Sequence, residues 1–183
     1  MLVLASKSPR RQQILRDAAI PFVVRPADVP EERRPGESPA DYVRRLAQKK
    51  AFAVTILPSE IVLAADTIVV IDGLVLEKPR DADDATRMLG LLSGREHEVI
   101  TGICLRSDTR KIVDVATTRV RFAPLTPEEM EAYVASGESM DKAGAYAIQG
   151  LASKFIDRIE GSYSNVVGLP MALVYRRLKE LDP

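Results

Sequence analysis

The stretch Met1-Leu2-Val3-Leu4-Ala5-Ser6-Lys7-Ser8-Pro9-Arg10-Arg11 decides how the chain is read. Leu2 to Ala5 is an unbroken apolar run, which predicts a short buried strand. It empties into Ser8-Pro9, where serine suits an N-cap and proline the first helical position, so a helix starts at once and runs toward Ala18. A strand that turns straight into a helix leaves backbone N–H groups without intrahelical partners, and the macrodipole adds positive potential there. Ser6 and Ser8 bring hydroxyls to the same point, and Lys7, Arg10 and Arg11 bring cations. Two arginines in a first turn oppose the dipole, an arrangement that makes sense if an anion such as phosphate lies between them and the helix end. The plain alternative is a strand, a turn and a helix with solvated arginines.

The 183 residues hold 26 lysines plus arginines and 26 acids, so no global field draws in a nucleic acid, and any polyanion site is local. No stretch approaches a membrane span, and Met1 leads into the first strand with no basic segment before it. These features predict a soluble, cytoplasmic protein with no membrane partner. A single cysteine, Cys104 inside an apolar run, excludes a disulfide framework and a zinc cluster and predicts a buried thiol.

Helix and strand signals alternate, as in a mixed α/β domain covering residues 1–183. Further helices start at Ser38-Pro39 with Asp41 three residues past the cap, at Asp81, at the capping box Thr126-Pro127-Glu128-Glu129, and at Pro170. Strands are expected at Ile61 to Ala65, Ile68 to Ile71, Leu74 to Leu76, Glu98 to Arg106, Ile112 to Phe122 and Phe155 to Ile159, with Asp72-Gly73 as a tight hairpin. Val99 to Leu105 lacks alternation and Val113 to Phe122 alternates, so the sheet is expected to be mixed. Arg25 to Glu37 reads as a long exposed loop.

Four polar clusters fall at the ends of apolar elements. Asp66-Thr67 follows Ala64-Ala65, at a strand end where open sheets collect ligands; local sequence alone favours the plainer reading, a turn acid capping nearby N–H groups. In Glu77-Lys78-Pro79, proline forces an extended geometry that can aim the ammonium inward, against the reading of a solvated charge pair. Asp141 to Gly150 is rich in small residues that permit close backbone approach, with Lys142 suited to phosphate and Gln149 to a base or a water; an ordinary flexible loop has the same composition. Gly161 to Pro170 offers hydroxyls and an amide before a helix, or plain turn chemistry. Asp28, Glu31 and Glu32 add loop carboxylates. The only histidine, His97, stands in a charged stretch without ligand spacing and reads as a surface residue. There is no Walker loop, G-x-G-x-x-G or nucleophile elbow. Cations and carboxylates without these motifs suit metal-assisted hydrolysis of a phosphoanhydride.

Taken together, the segments resemble the Maf family of nucleoside triphosphate pyrophosphatases. The resemblance rests on Ser6-x-Ser8-Pro9-Arg10-Arg11, Gly36-Glu37-Ser38-Pro39, Leu46-Ala47 with Lys50-Ala51, Ala65-Asp66-Thr67, Glu77-Lys78-Pro79, Leu92-Ser93-Gly94, Asp141 to Tyr146, Ile148-Gln149-Gly150 and Gly168-Leu169-Pro170, in that order. It implies an α/β fold like that of the inosine triphosphate pyrophosphatases, an elongated mixed sheet flanked by helices with two lobes around a cleft. It implies hydrolysis between the α- and β-phosphates to a nucleoside monophosphate and pyrophosphate, with Mg²⁺ or Mn²⁺ as cofactor. By motif, Asp66 is the proton acceptor, Ser8, Arg10, Arg11 and Lys78 are phosphate-side residues, Lys50 is the lysine of the second helix, and Glu31 lies near the metal with Asp66. Arg10, Thr67 and Gln149 are as in the branch that acts on dTTP and UTP. Pro30 stands where the family often has an acid, and Ala147 where it commonly has glycine.

The resemblance thus implies catalytic roles for Asp66, Glu31 and Lys78, and substrate contacts for Ser6, Ser8, Arg10, Arg11, Lys50, Thr67, Lys142 and Gln149. Asp66 either deprotonates a water or orients it beside the metal; both remain open at this point. A homodimer is implied by resemblance only. The family is also described as a septum-formation inhibitor, so a nucleotide-binding regulator of cell division with little turnover is the competing reading.

Overall fold

In the computed structural model, which describes residues 1–181, the opening apolar run is a strand, β1 (Leu2–Leu4), buried along its length. It pairs in parallel with β2 (Phe22–Val24) on one side and β3 (Ile61–Ile71) on the other, so both neighbours and both faces are covered and no alternation is needed. With β4 (Leu74–Leu76), β5 (Glu96–Arg106), β6 (Lys111–Phe122) and β7 (Ile156–Glu160), these form one seven-stranded sheet. The order is β2-β1-β3-β5-β6-β7, and β4 pairs with β3. The β3–β4 and β6–β7 pairs are antiparallel, which makes the sheet mixed, as expected. Asp72 and Gly73, both at positive φ, close the β3–β4 hairpin.

The expected helix starts hold. Ser8 caps α1 (Pro9–Asp17), Ser38 caps α2 (Pro39–Ala53), Asp81 caps α3 (Ala82–Leu92), and Thr126 with Glu129 forms a capping box on α4 (Pro127–Ala135). A short α5 (Tyr163–Val167) precedes α6 (Met171–Leu181). Among the described residues, no helix is long and apolar enough to cross a membrane.

The chain divides into two compact units. The first comprises Met1–Thr67, Thr101–Ala116 and the stretch from Gly168; the second comprises Ile68–Ile100 and Thr117–Val167. In the first, strand alternation sorts side chains into two cores. Leu2, Leu4, Leu63, Ala65, Ile103 and Leu105 pack with Leu15 of α1 and Val174 of α6. Val3, Val62, Ala64 and Cys104 point the other way and pack with Ala47 and Ala51 of α2. The Cys104 thiol is buried, and burial pushes its pKa up to about 11. Gly102 shares the α2 face, where an added Cβ would overlap the carbonyl group of Val43.

Two expectations are overturned. Asp66 and Thr67 do not end a strand; β3 runs through them as one element of 11 residues. A carboxylate sits mid-strand here because a lysine meets it in the interior. His97 is not at the surface but 2% exposed, in the second unit. Glu96 and Glu98 are exposed on either side, and a two-residue period turns the histidine inward between them. Its Nε2 lies 2.8 Å from the Tyr146 hydroxyl, and its ring meets Phe122 and Tyr146 edge-on at 5.2 and 5.4 Å. Desolvation lowers its pKa to about 4.

Gly102→Ala should lower stability by about 2–4 kcal/mol, because the obstacle is backbone and cannot rotate away; urea unfolding measures it. Stability should also depend on His97. Between pH 6.5 and about 4 the unfolded chain binds a proton on this imidazole that the folded chain excludes. The contribution is therefore complete above pH 6.5 and falls on acidification, by roughly 3 kcal/mol at the lower limit. His97→Gln should flatten the dependence of the unfolding midpoint between pH 6.5 and 5.

Candidate active site

The alternation that sorts the core also builds a polar site. Asp66 continues the row of Val62 and Ala64 and therefore faces α2; Thr67 continues the row of Leu63 and Ala65 and faces α1 and α6. On the α2 side, Tyr42, Val43, Leu46, Ala47, Lys50 and Ala51 form the buried stripe, so helical spacing turns Lys50 inward. Its Nζ lies 2.6 Å from Asp66 Oδ1 and 2.6 Å from Glu31 Oε1. One ammonium thus holds two carboxylates, one on a strand and one on the Arg25–Glu37 loop. Asp66 is 7% exposed and Lys50 9%, whereas Glu31 stands at the surface.

On the opposite face Arg11 spreads its guanidinium over three acceptors. Nε donates to the Gly168 carbonyl at 2.8 Å, Nη2 to Thr67 Oγ1 at 3.1 Å and Nη1 to Ser6 Oγ at 3.3 Å. Thr67 Oγ1 also lies 2.9 Å from Thr101 Oγ1. Arg11 therefore crosslinks α1, β3 and the turn before α6. Burial lowers its pKa, partly offset by the negative charges of Asp66 and Glu31, and the charge of Arg10 adds to the lowering. Ser8 Oγ accepts from the Arg11 N–H at 3.4 Å, and Ser6 Oγ from the Ser8 N–H at 3.2 Å. Both hydroxyls act here as acceptors for the helix start, and the proton each carries is what an anion would take.

Lys78, Lys142 and Gln149 belong to the second unit. Lys78 is exposed just past β4, beside the Glu77 carbonyl that accepts from the Gly144 N–H at 3.1 Å. That bond fastens the Asp141–Gly150 loop to the end of β4. Lys142 Nζ donates to the Glu138 carbonyl at 2.6 Å and to the Asp141 carboxylate, so it staples its own loop. Gln149 is exposed on that loop.

Among the described residues there is no group of three or more His, Cys, Asp or Glu side chains placed to hold a metal. Glu31 and Asp66 are two carboxylates on one ammonium, and two carboxylates completed by substrate phosphate oxygens is a donor set that suits Mg²⁺ or Mn²⁺. The residues present fit such a cation.

Thr101 was not evident from the sequence. It lies in the apolar β5 run without local polar company, and only its place in the row of Ile103 and Leu105 would have pointed to Thr67.

The family model of Maf-like proteins matches residues 1–181. The chain belongs to this family. A dTTP/UTP pyrophosphatase of Koribacter versatilis (strain Ellin345) is 53% identical to this Maf-like chain over 179 residues, 97% of this chain and 93% of that protein. A dTTP/UTP pyrophosphatase of Anaeromyxobacter dehalogenans (strain 2CP-C) is 54% identical over 175 residues, 93% of this chain and 89% of that protein. Among solved structures, a HAM1 protein from Coxiella burnetii is 19% identical, covering 68% of this chain and 73% of its own, with a TM-score of 0.43.

In this Maf-like protein, Lys50→Met would leave a buried aspartate without its counter-ion. The variant should lose about 3 kcal/mol in urea unfolding, the order expected when one partner of a buried ion pair is removed. An unchanged midpoint would show that the ammonium does not balance Asp66.

Proposed function

We propose that the chain hydrolyses dTTP, UTP and modified pyrimidine nucleotides between the α- and β-phosphates, releasing a nucleoside monophosphate and pyrophosphate. The names of relatives sharing about half of its residues support the reaction. The observation that carries the mechanism is Asp66, held in the interior of the first unit by Lys50 beside Glu31.

In the reaction, a water oxygen bonds to the α-phosphorus, and the bond from that phosphorus to the bridging oxygen breaks. The bridging oxygen keeps the electron pair and leaves with pyrophosphate. Asp66 orients the water and takes its proton. An ammonium has three donors; two on Lys50 meet carboxylates, and in this reading the third donates to a phosphate oxygen. Arg10 and the Ser6 and Ser8 hydroxyls bind phosphate at the start of α1, while Arg11 and Thr67 fix the geometry beside them. Lys78, Lys142 and Gln149 keep the phosphate and base roles implied by the family resemblance. A divalent cation held by Glu31 and Asp66 would supply charge neutralisation for the triphosphate. A homodimer is the assembly the same resemblance implies, and the cytoplasm is its proposed setting.

Incubation with dTTP or UTP and Mg²⁺ should yield monophosphate and pyrophosphate by phosphorus NMR. Asp66→Asn should reduce kcat by a factor of roughly 100 or more while leaving the unfolding transition cooperative. Orthophosphate as the first product, or a full rate in Asp66→Asn, would overturn the mechanism.

A further inference from the structure

The loop that delivers Glu31 has no regular secondary structure from Arg25 to the cap of α2, yet its carboxylate meets Lys50 at 2.6 Å. A carboxylate on an unrestrained loop would lose that contact to backbone entropy. Something must hold the backbone. Three consecutive loop carbonyls each accept a bond from a side chain of α2. Lys49 Nζ donates to Pro30 O at 3.3 Å, the Tyr42 hydroxyl to Glu31 O at 2.8 Å, and Arg45 Nη2 to Glu32 O at 2.9 Å. Residues 42, 45 and 49 follow helical spacing along one face of the helix, beside the face that carries Lys50.

Arg45 also closes the far end of the loop. Its Nε and Nη2 grip the two oxygens of Glu37 at 2.6 and 2.7 Å, and the Arg34 N–H donates to Glu37 Oε2 at 3.1 Å. The arginine drives the Glu37 pKa down to about 2, so the carboxylate is ionised and gripped at neutral pH. The Arg45 guanidinium lies 5.5 Å from the centre of the Tyr42 ring, and that tyrosine is 1% exposed, which fixes both donors relative to the helix.

We propose that Tyr42, Arg45 and Lys49 are positioning residues which hold the Glu31 carboxylate at its place beside Asp66 by fastening the loop backbone, at the very residue that bears the carboxylate, to one face of α2. All three act on Glu31 through the loop backbone. The clamp presents Glu31 already ordered, and its importance for turnover rests on the role given to Glu31 under Proposed function.

The test is Tyr42→Phe in the full-length protein, which removes one hydroxyl and keeps the ring in the core. Hydrogen–deuterium exchange at residues 31–34 should accelerate about tenfold, as expected for the loss of one hydrogen bond. Pyrophosphate release from dTTP should slow about five- to tenfold in kcat, with KM within about twofold. In a Glu31→Gln background, adding Tyr42→Phe should slow the enzyme no further, a non-additivity that a merely structural role would not produce. Unchanged loop exchange, or an equal additional loss in the Glu31→Gln background, would overturn the clamp and leave the hydrolase reading standing. A wild-type rate in Glu31→Gln itself would instead remove the role given to Glu31, and the clamp's catalytic importance with it.

Discussion

A single ammonium, Lys50 Nζ, ties a helix, a strand and a loop together through two carboxylates. The interaction is costly to assemble, because lysine and aspartate both leave water. Its cost is offset only if the partners arrive in register. Helical spacing along α2 must turn Lys50 inward, strand alternation must turn Asp66 toward it, and the loop must bring Glu31 over the top.

That opposite face follows a different logic. Arg11 meets neutral acceptors, a carbonyl and two hydroxyls, and no carboxylate is hydrogen-bonded to it among the contacts described. Its charge is offset only through space, by Asp66 and Glu31. Read along the sequence, the two arginines of the first helical turn looked like a pair; folded, Arg11 braces the strand and the turn before α6, and Arg10 lies close enough for their charges to oppose one another. The positive potential at the start of α1 comes from a guanidinium that is fixed in place, which preorganises the helix end for an anion.

Much of this was legible in advance where the signal is local. Ser8, Ser38, Asp81 and Thr126 mark their helices because capping is a matter of a few neighbouring residues, and Asp72-Gly73 marks its hairpin for the same reason. The sequence marks Asp66 as chemistry and the family resemblance adds Lys50, but the pattern splits β3 at Asp66, because a charge in mid-strand is disfavoured until its partner, 16 residues away, is known. At His97 the charged neighbours mask, in the sequence, the two-residue period that buries it. The Tyr42, Arg45 and Lys49 contacts with the loop carbonyls had no sequence signature. A backbone acceptor is the same at every residue, so only the path of the loop reveals which ones are met.

Because Asp66 and Thr67 are adjacent in one strand and serve opposite faces of the sheet, the number of residues in β3 matters more than most of their identities. Conservative exchanges among Ile61 to Ala65 alter packing by degrees. Insertion or deletion of one residue ahead of Asp66 would reverse the parity, sending the carboxylate toward Arg11 and the hydroxyl toward Lys50. Length variation in this protein and its kin should therefore collect in loops, while β3 tolerates changes of letter and not of count.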